Sequence, residues 1–340
     1  GSLSDDNVWS IYRDQQGTLW IGTEMGGLNR FEPASQTFAH YRHNPGNADS
    51  LGDDFVRTIF QDRQGTLWLG TYNGLDRFDP WSDTFSQSRP DPNDPNSLSS
   101  DVTICILDDR DGGLWLATER GGLNRFDQST ASFTVYAHDP DDPASLIDSS
   151  PVALAQDHTG TLWVGTSAGL DRFDPSSQTF QHYGERQGLA NTSIHGLVVD
   201  NDGYLWLSTN RGLSRLDPHS ETFKNYDPSD GLQSGGYNNG AYHKAESGEL
   251  FFGGPLGLTA FWPDRIWENP HAPPVVISTV SLFGKPLQAE RTDGTSIELS
   301  HRDNFLSFDY AALDYAAPDR NQYAYMLEGL DKDWVYAGTR

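Results

Sequence analysis

The groups through which this 340-residue chain could do chemistry are ten histidines, one cysteine, 48 acidic and 23 basic side chains. Arg30, Arg77, Arg125, Arg172 and Arg215 invite the first reading, an arginine cluster that grips a carboxylated sugar, as in a sialidase. Each recurs in the same setting, a Leu-X-Arg followed by Phe or Leu, and a residue that every repeat carries is needed by the repeat rather than by one site. The arginines are therefore expected to be structural, bridging neighbouring units. His195 and His243 could pair as metal ligands or supply a base, although isolated histidines near strands usually have structural partners. Cys105 lies in the apolar run 102–107 and reads as a buried small hydrophobe; a single cysteine excludes an internal disulfide framework and a multi-thiolate metal site.

Segments 43–51, 91–98 and 139–146 are rich in Asp, Asn, Pro and Ser. Their carboxylates suggest calcium, but they lack the order of an EF-hand loop, and their prolines point to rigid connections. The run 200–203, AspAsnAspGly, reads as a hairpin turn. No Ser-His-Asp order, phosphate loop or metal motif rises above chance, so no catalytic residue, metal or cofactor is expected.

The elements that must position these groups are set by repetition. GTLWIGT around Trp20 returns around Trp68, Trp115, Trp163 and Trp206, and in degenerate form with Phe251 at the Trp place; successive positions are 48, 47, 48, 43 and 45 residues apart. Each unit reads as four strands. A β-rich stretch such as 8–14 or 56–62 leads into an Asp-X-X-Gly hairpin, whose Asp can accept backbone N–H groups and whose Gly can take positive φ. The LeuTrp strand follows, then a Gly-bearing turn, a third strand (28–31, 75–78, 123–126, 170–173, 213–216) and a fourth (38–41, 133–136, 180–183, 223–226). No helical period competes, and four antiparallel strands per unit with one large aromatic at a fixed place describe an all-β propeller of six blades. The expected organisation is a propeller over 1–264, a linker over 265–274 and a truncated β-sandwich over 275–340, with strands at 275–283, 297–300 and 304–310.

The formal charge of −25 argues against a nucleic acid or an anionic membrane surface as partner. No apolar stretch approaches the ~18–20 residues of a membrane helix. The chain opens GlySerLeuSer, without Met, and is read as a segment of a longer protein.

The pattern Asp-X-X-Gly-X-LeuTrp-X-GlyThr-X-X-Gly-Leu-X-ArgPhe-Asp-Pro resembles the two-component regulator propeller repeat, in at least five copies. The tail, with PheLeuSerPheAspTyr (305–310) and TyrAlaTyrMetLeuGluGlyLeuAspLysAspTrp (323–334), resembles the start of the Tyr-Tyr-Tyr (Y_Y_Y) domain, an immunoglobulin-like sandwich. The resemblance implies the periplasmic sensor region of a membrane-bound signalling protein whose output is a hybrid histidine kinase or a diguanylate cyclase. It also implies a seven-bladed ring, of which six units are present, and membrane attachment only through segments outside this chain.

Function is expected where the blades differ. In a propeller, the loop entering the first strand and the turn between the second and third open on one face. The turns carry Glu24, Tyr72, Asn73, Glu119, Arg120, Asn210 and Arg211; the entries carry His195 and Asn238, beside Asn7, Phe55, Asp101, Ser150 and Asn239. Such a mixed rim suits a small polar ligand, for instance an oligosaccharide. The leading expectation is a non-catalytic sensor that relays through the sandwich, with homodimerisation as the simplest switch. The alternatives are a protein-interaction scaffold and a polysaccharide hydrolase or lyase.

Overall fold

The computed structural model describes residues 2–109, 111–266 and 274–286, and within the last stretch 300, 302–303, 305–313, 321, 323–329, 331–332 and 334–338. The chain divides into two compact units, 1–266 and 267–340. The first unit contains six antiparallel sheets, and in each the strands pair in sequence order. Blade 1 holds β1 (Val8–Arg13), β2 (Leu19–Thr23), β3 (Leu28–Glu32) and β4 (Thr37–Tyr41). Blade 2 holds β5 (Val56–Gln61), β6 (Leu67–Thr71), β7 (Gly74–Asp79) and β8 (Thr84–Ser88). Blade 3 holds β9 (Thr103–Asp108), β10 (Leu114–Thr118), β11 (Gly122–Asp127) and β12 (Ser132–Tyr136). Blade 4 holds β13 (Ala153–Gln156), β14 (Leu162–Gly165), β15 (Leu170–Asp174) and β16 (Thr179–Tyr183). Blade 5 holds β17 (Ile194–Val199), β18 (Leu205–Thr209), β19 (Gly212–Asp217) and β20 (Thr222–Tyr226). Blade 6 has three strands, β21 (Tyr242–Lys244), β22 (Leu250–Gly254) and β23 (Gly257–Phe261). This is the predicted propeller architecture, including the missing fourth strand of the last unit.

The second unit has a three-stranded sheet in the order β25 (Lys285–Pro286), β24 (Val275–Leu282), β26 (Leu306–Ala312), and a pair, β27 (Tyr323–Tyr325) with β28 (Val335–Gly338). The predicted strand at 297–300 lies outside the described residues apart from Ser300, as does most of the linker.

Hydrophobic burial is organised between blades, not within them. Five buried clusters each span one junction, such as Trp20, Leu28, Val56, Leu69 and Phe78 between blades 1 and 2, or Trp206, Tyr226, Leu250 and Phe252 between blades 5 and 6. The recurring device is the tryptophan of one blade set against the aromatic of the next: Trp20 to Phe78 at 5.3 Å, Trp68 to Phe126 at 5.6 Å, Trp115 to Phe173 at 5.3 Å and Trp206 to Phe261 at 4.9 Å between ring centres. A sheet buries its faces against its neighbours, so each blade is stable only in company.

The Asp-X-X-Gly hairpin anchors that tryptophan. In blade 5, Asp200 Oδ1 accepts the N–H of Asp202 (3.0 Å) and of Tyr204 (2.9 Å), while Oδ2 accepts the indole N–H of Trp206 at 2.7 Å. Asp14, Asp62 and Asp157 repeat this with Trp20, Trp68 and Trp163, at 2.8, 2.8 and 2.9 Å. The recurring arginine covers the same ring: Arg30, Arg77, Arg125, Arg172 and Arg215 lie 5.8, 6.0, 5.8, 5.8 and 5.9 Å from the tryptophan of their own blade. The expected bridging of neighbouring blades is realised at Arg172, which pairs with Glu221 at 3.0 Å, whereas Arg30 and Arg125 pair within their own blades.

The acidic connections are folded into hydrogen-bonded turns, in line with their expected rigidity. In 91–97, Asp91 and Asp94 cap the N–H groups of Asn93 and Asn96, and Ser97 Oγ donates back to the Asp91 carbonyl. The Asn96 carbonyl then accepts the N–H of Phe133 on β12, which fastens the loop to the next blade.

Candidate functional site

Each innermost strand begins at the face where the second-to-third turns also emerge. The backbone ties these features together: Glu24 N–H donates to the Asn7 carbonyl, Tyr72 to Phe55, and Glu119 to Val102. The first strands of blades 1, 2, 3 and 5 lose register here, and the residue skipped is Trp9, Arg57, Ile104 or His195. A bulge leaves its extra residue unpaired and re-aims the side chain, so these four positions are freed from blade packing.

In blades 1 and 2 the bulge residues build an aromatic shelf. The Arg57 guanidinium lies 4.5 Å from the Trp9 ring, Trp9 lies 5.3 Å from Phe55, and Phe55 lies 4.1 Å from Tyr72. Trp9 and Tyr72 are exposed, at 43% and 38% of their full surface. At blades 5 and 6, His195 joins two amides, with Nδ1 2.5 Å from Asn239 Oδ1 and Nε2 2.8 Å from Asn210 Oδ1. One imidazole bonded at both nitrogens is held in a fixed orientation.

The predicted rim residues fall into three kinds. Tyr72, His195 and Asn210 lie in these two clusters. Glu119 and Arg120 are exposed and line a cavity of about 520 Å³ with Ser100 and Asp101, while Asn210 and Arg211 line a second, of about 500 Å³, with Gln233 and Asp227. Asn73 is committed to the scaffold, its Nδ2 donating to the Gly52 carbonyl at 3.1 Å. Glu24 is half-buried, and Asn238 is exposed with its backbone N–H on the Gly253 carbonyl. It is Asn239, not Asn238, that meets His195. His243 stands apart, 6.4 Å from the ring of Phe251 on β22, so the two histidines do not form a pair. Among the described residues no cluster of three or more His, Cys, Asp or Glu could hold a metal ion. Sequence reading missed Trp9 and Arg57; the available signal was their divergence at a single repeat position, where other blades carry Ile104, Val152 and His195.

Under this rim, one residue of the third strand in each of blades 1–5 clamps the loop that enters the blade. Asn29 accepts the N–H of Ser4, Asp76 that of Gly52, Asn124 that of Ser99, Asp171 that of Ile147 and Ser214 that of Ala190. Where this residue is Asp, it is fully buried. Burial pushes the Asp76 carboxyl up to about 7, and the Asp171 carboxyl up to about 6 despite its contact with His182 at 2.6 Å.

Residues 2–25, 50–73, 97–120, 145–168 and 188–211 match the sequence family described as two component regulator propeller. Histidine kinase P4 of Formosa agariphila is 29% identical over 112 residues, which are 30% of this chain and 8% of that protein. The extracellular domain of a hybrid two component system from B. thetaiotaomicron superposes with a TM-score of 0.73 at 25% identity, over 98% of this chain and 45% of that one. A second such domain from the same organism gives 0.61 at 23% identity, over 99% and 46%. The chain thus spans less than half the length of these domains. Virginiamycin B lyase from Staphylococcus aureus shares the fold, with a TM-score of 0.58 at 14% identity, over 79% of this chain and 86% of that one. Among the described residues no helix is long and apolar enough to cross a membrane. One segment at each of blades 1–5 thus matches one repeat family, the two component regulator propeller, and the chain is similar to the extracellular domains of hybrid two component systems.

Proposed function

We propose that this chain is the extracytoplasmic, non-catalytic sensing part of a longer signalling protein, and that the bulged rim binds a small polar ligand such as an oligosaccharide. The observation that carries the reading is the shelf at the ends of the innermost strands, where the exposed rings of Trp9 and Tyr72 flank a half-buried Phe55 beside the Arg57 guanidinium, all outside the repeat pattern. An aromatic face accepts the C–H side of a sugar ring, and neighbouring amides and charges satisfy its hydroxyls. The similarity to an extracellular domain of a hybrid two component system and to a histidine kinase supports an output of the kinase type outside these residues. In this scheme the trailing unit is the relay and a homodimer the signalling form. The ligand must then favour one of two conformations or assembly states.

The test is a calorimetric and thermal-shift panel of neutral and acidic oligosaccharides. A hit whose affinity falls about tenfold or more in Tyr72→Ala supports the rim. No response to any sugar, together with capture of a protein by the same face, would replace the reading with a scaffold.

A further inference from the structure

At the opposite end of the blades, where the Asp-X-X-Gly hairpins and the third-to-fourth turns emerge, a groove of about 610 Å³ runs between blades 1 and 2. Its floor includes Trp20 and Phe78, and its rim includes Arg30, Glu32, Gln16 and Trp81. Trp81 is 94% exposed. It follows Pro80 in the turn after β7, a place occupied by Ala34, Ser129, Ser176 and His219 in the other blades, so the turn does not require a large ring. The turn is set instead by Asp79, whose Oδ1 accepts the Trp81 N–H at 2.9 Å and whose Oδ2 accepts the Ser82 hydroxyl at 2.7 Å.

The corresponding groove between blades 4 and 5, of about 440 Å³, is crossed by the ion pair of Arg172 with Glu221. Between blades 1 and 2 the acid equivalent to Glu221 is Asp83, and it accepts the Tyr41 hydroxyl at 2.9 Å instead. Arg30 consequently pairs with Glu32 of its own blade, through Nε at 2.8 Å, and the groove stays open. The result is one exposed indole face beside a mutually neutralised guanidinium and carboxylate.

We propose that this groove is a second binding site, for a neutral saccharide that stacks a pyranose ring on Trp81 and hydrogen-bonds its hydroxyls to Arg30 and Glu32. An anionic ligand would meet Glu32 and a field set by a net charge of −25, and a purely apolar one would leave the ion pair desolvated without partners. A neutral polyol has both the C–H face and the donors and acceptors that the groove offers, and the volume accommodates a di- or trisaccharide. The site does not depend on the rim, which lies at the other end of the strands.

The experiment is an NMR titration of the whole chain, reading indole N–H resonances, with cellobiose, maltotriose, xylotriose and laminaritriose as probes and galacturonic acid trimer as the charged control. The Trp81 resonance is assigned by its loss in Trp81→Phe. The expected result is a saturable shift of that resonance with a neutral sugar, weakened at least tenfold in Glu32→Gln and unchanged in Tyr72→Ala; in Trp81→Ala, which lacks the resonance, isothermal calorimetry should read the same tenfold loss of affinity. A Trp81 resonance that none of the neutral sugars moves overturns the proposal. So does one that moves only with the charged trimer, or only on adding a protein that binds the groove. Loss of the shift in Tyr72→Ala would instead show that the sugar sits at the rim, and would also overturn it.

Discussion

The repeated aspartate of the hairpin serves three donors at once, and the cost of removing it follows from burial. Trp206 is fully buried, so Asp200→Ala would strand an indole N–H and two backbone N–H groups without acceptors. Bonds to a charged acceptor contribute about 1.5–3 kcal/mol each, and the strand-end donors recover part of theirs from water. Urea unfolding should show a loss of about 2–4 kcal/mol; a loss under about 0.5 kcal/mol would mean that the carboxylate is dispensable. Asp76 makes the opposite prediction. Its folded value of about 7 stands above the unfolded 3.8, so between these values the folded chain holds a proton that the unfolded chain has released. Stability from this group is therefore complete below pH ~4 and declines as the pH rises through 7. Asn29 and Asn124 perform the same clamp without titrating, so Asp76→Asn should raise stability at pH 8 by about 1 kcal/mol or more and flatten the pH dependence. A variant less stable than the parent at pH 8 would refute this account.

At the scale of elements, the innermost strands have two duties that compete. Their lower halves pack toward the centre, and their bulged starts leave the ladder to present Trp9, Arg57 and His195. Gly196, immediately after the bulge of β17, shows how tight the compromise is. A Cβ there would run into the ring of Tyr242 on β21 and crowd Ser208 Oγ. Tyr242 packs against the clusters on both sides of blade 5, so Gly196→Ala should cost about 1–3 kcal/mol, by overpacking, and loosen blade 6 first. Hydrogen exchange would register this as faster exchange across β21–β23 than across β9–β12; uniform acceleration of all blades would contradict it.

For the whole molecule, the junction device has an uneven end. Phe78, Phe126 and Phe173 are buried under the tryptophan of the preceding blade, whereas Phe31 of blade 1 is only half-buried and contacts Phe38 at 5.2 Å. Val8 and Ile11 on β1 are likewise exposed, at 41% and 66%. Stability in such an array is a sum of blade and junction terms, so the outermost blades should open before the central ones. In the trailing unit, Trp334 and Tyr336 are exposed at 59% and 81%, a surface suited to the proposed self-association. Sedimentation equilibrium should then show a concentration-dependent dimer that is weakened by Trp334→Ser with Tyr336→Ser. A strictly monomeric parent would remove the dimer from the signalling scheme.

Much of this protein was legible from its residues because a repeat reports its own structure several times over. Strand number, hairpin chemistry, the structural duty of the tryptophans and arginines, and the face on which the blades diverge all follow from period and recurrence. Tertiary structure alone decided which divergent residues meet. Register loss at one position in blades 1, 2, 3 and 5 frees the residues that bring Arg57 to Trp9 and His195 to Asn210 and Asn239, while a hydrogen bond to the Gly52 carbonyl commits Asn73 to the scaffold. The reason is physical: recurrence identifies what every blade must satisfy locally, whereas a site is made by contacts between blades. Those contacts are fixed by bulges and junction packing that no single repeat encodes.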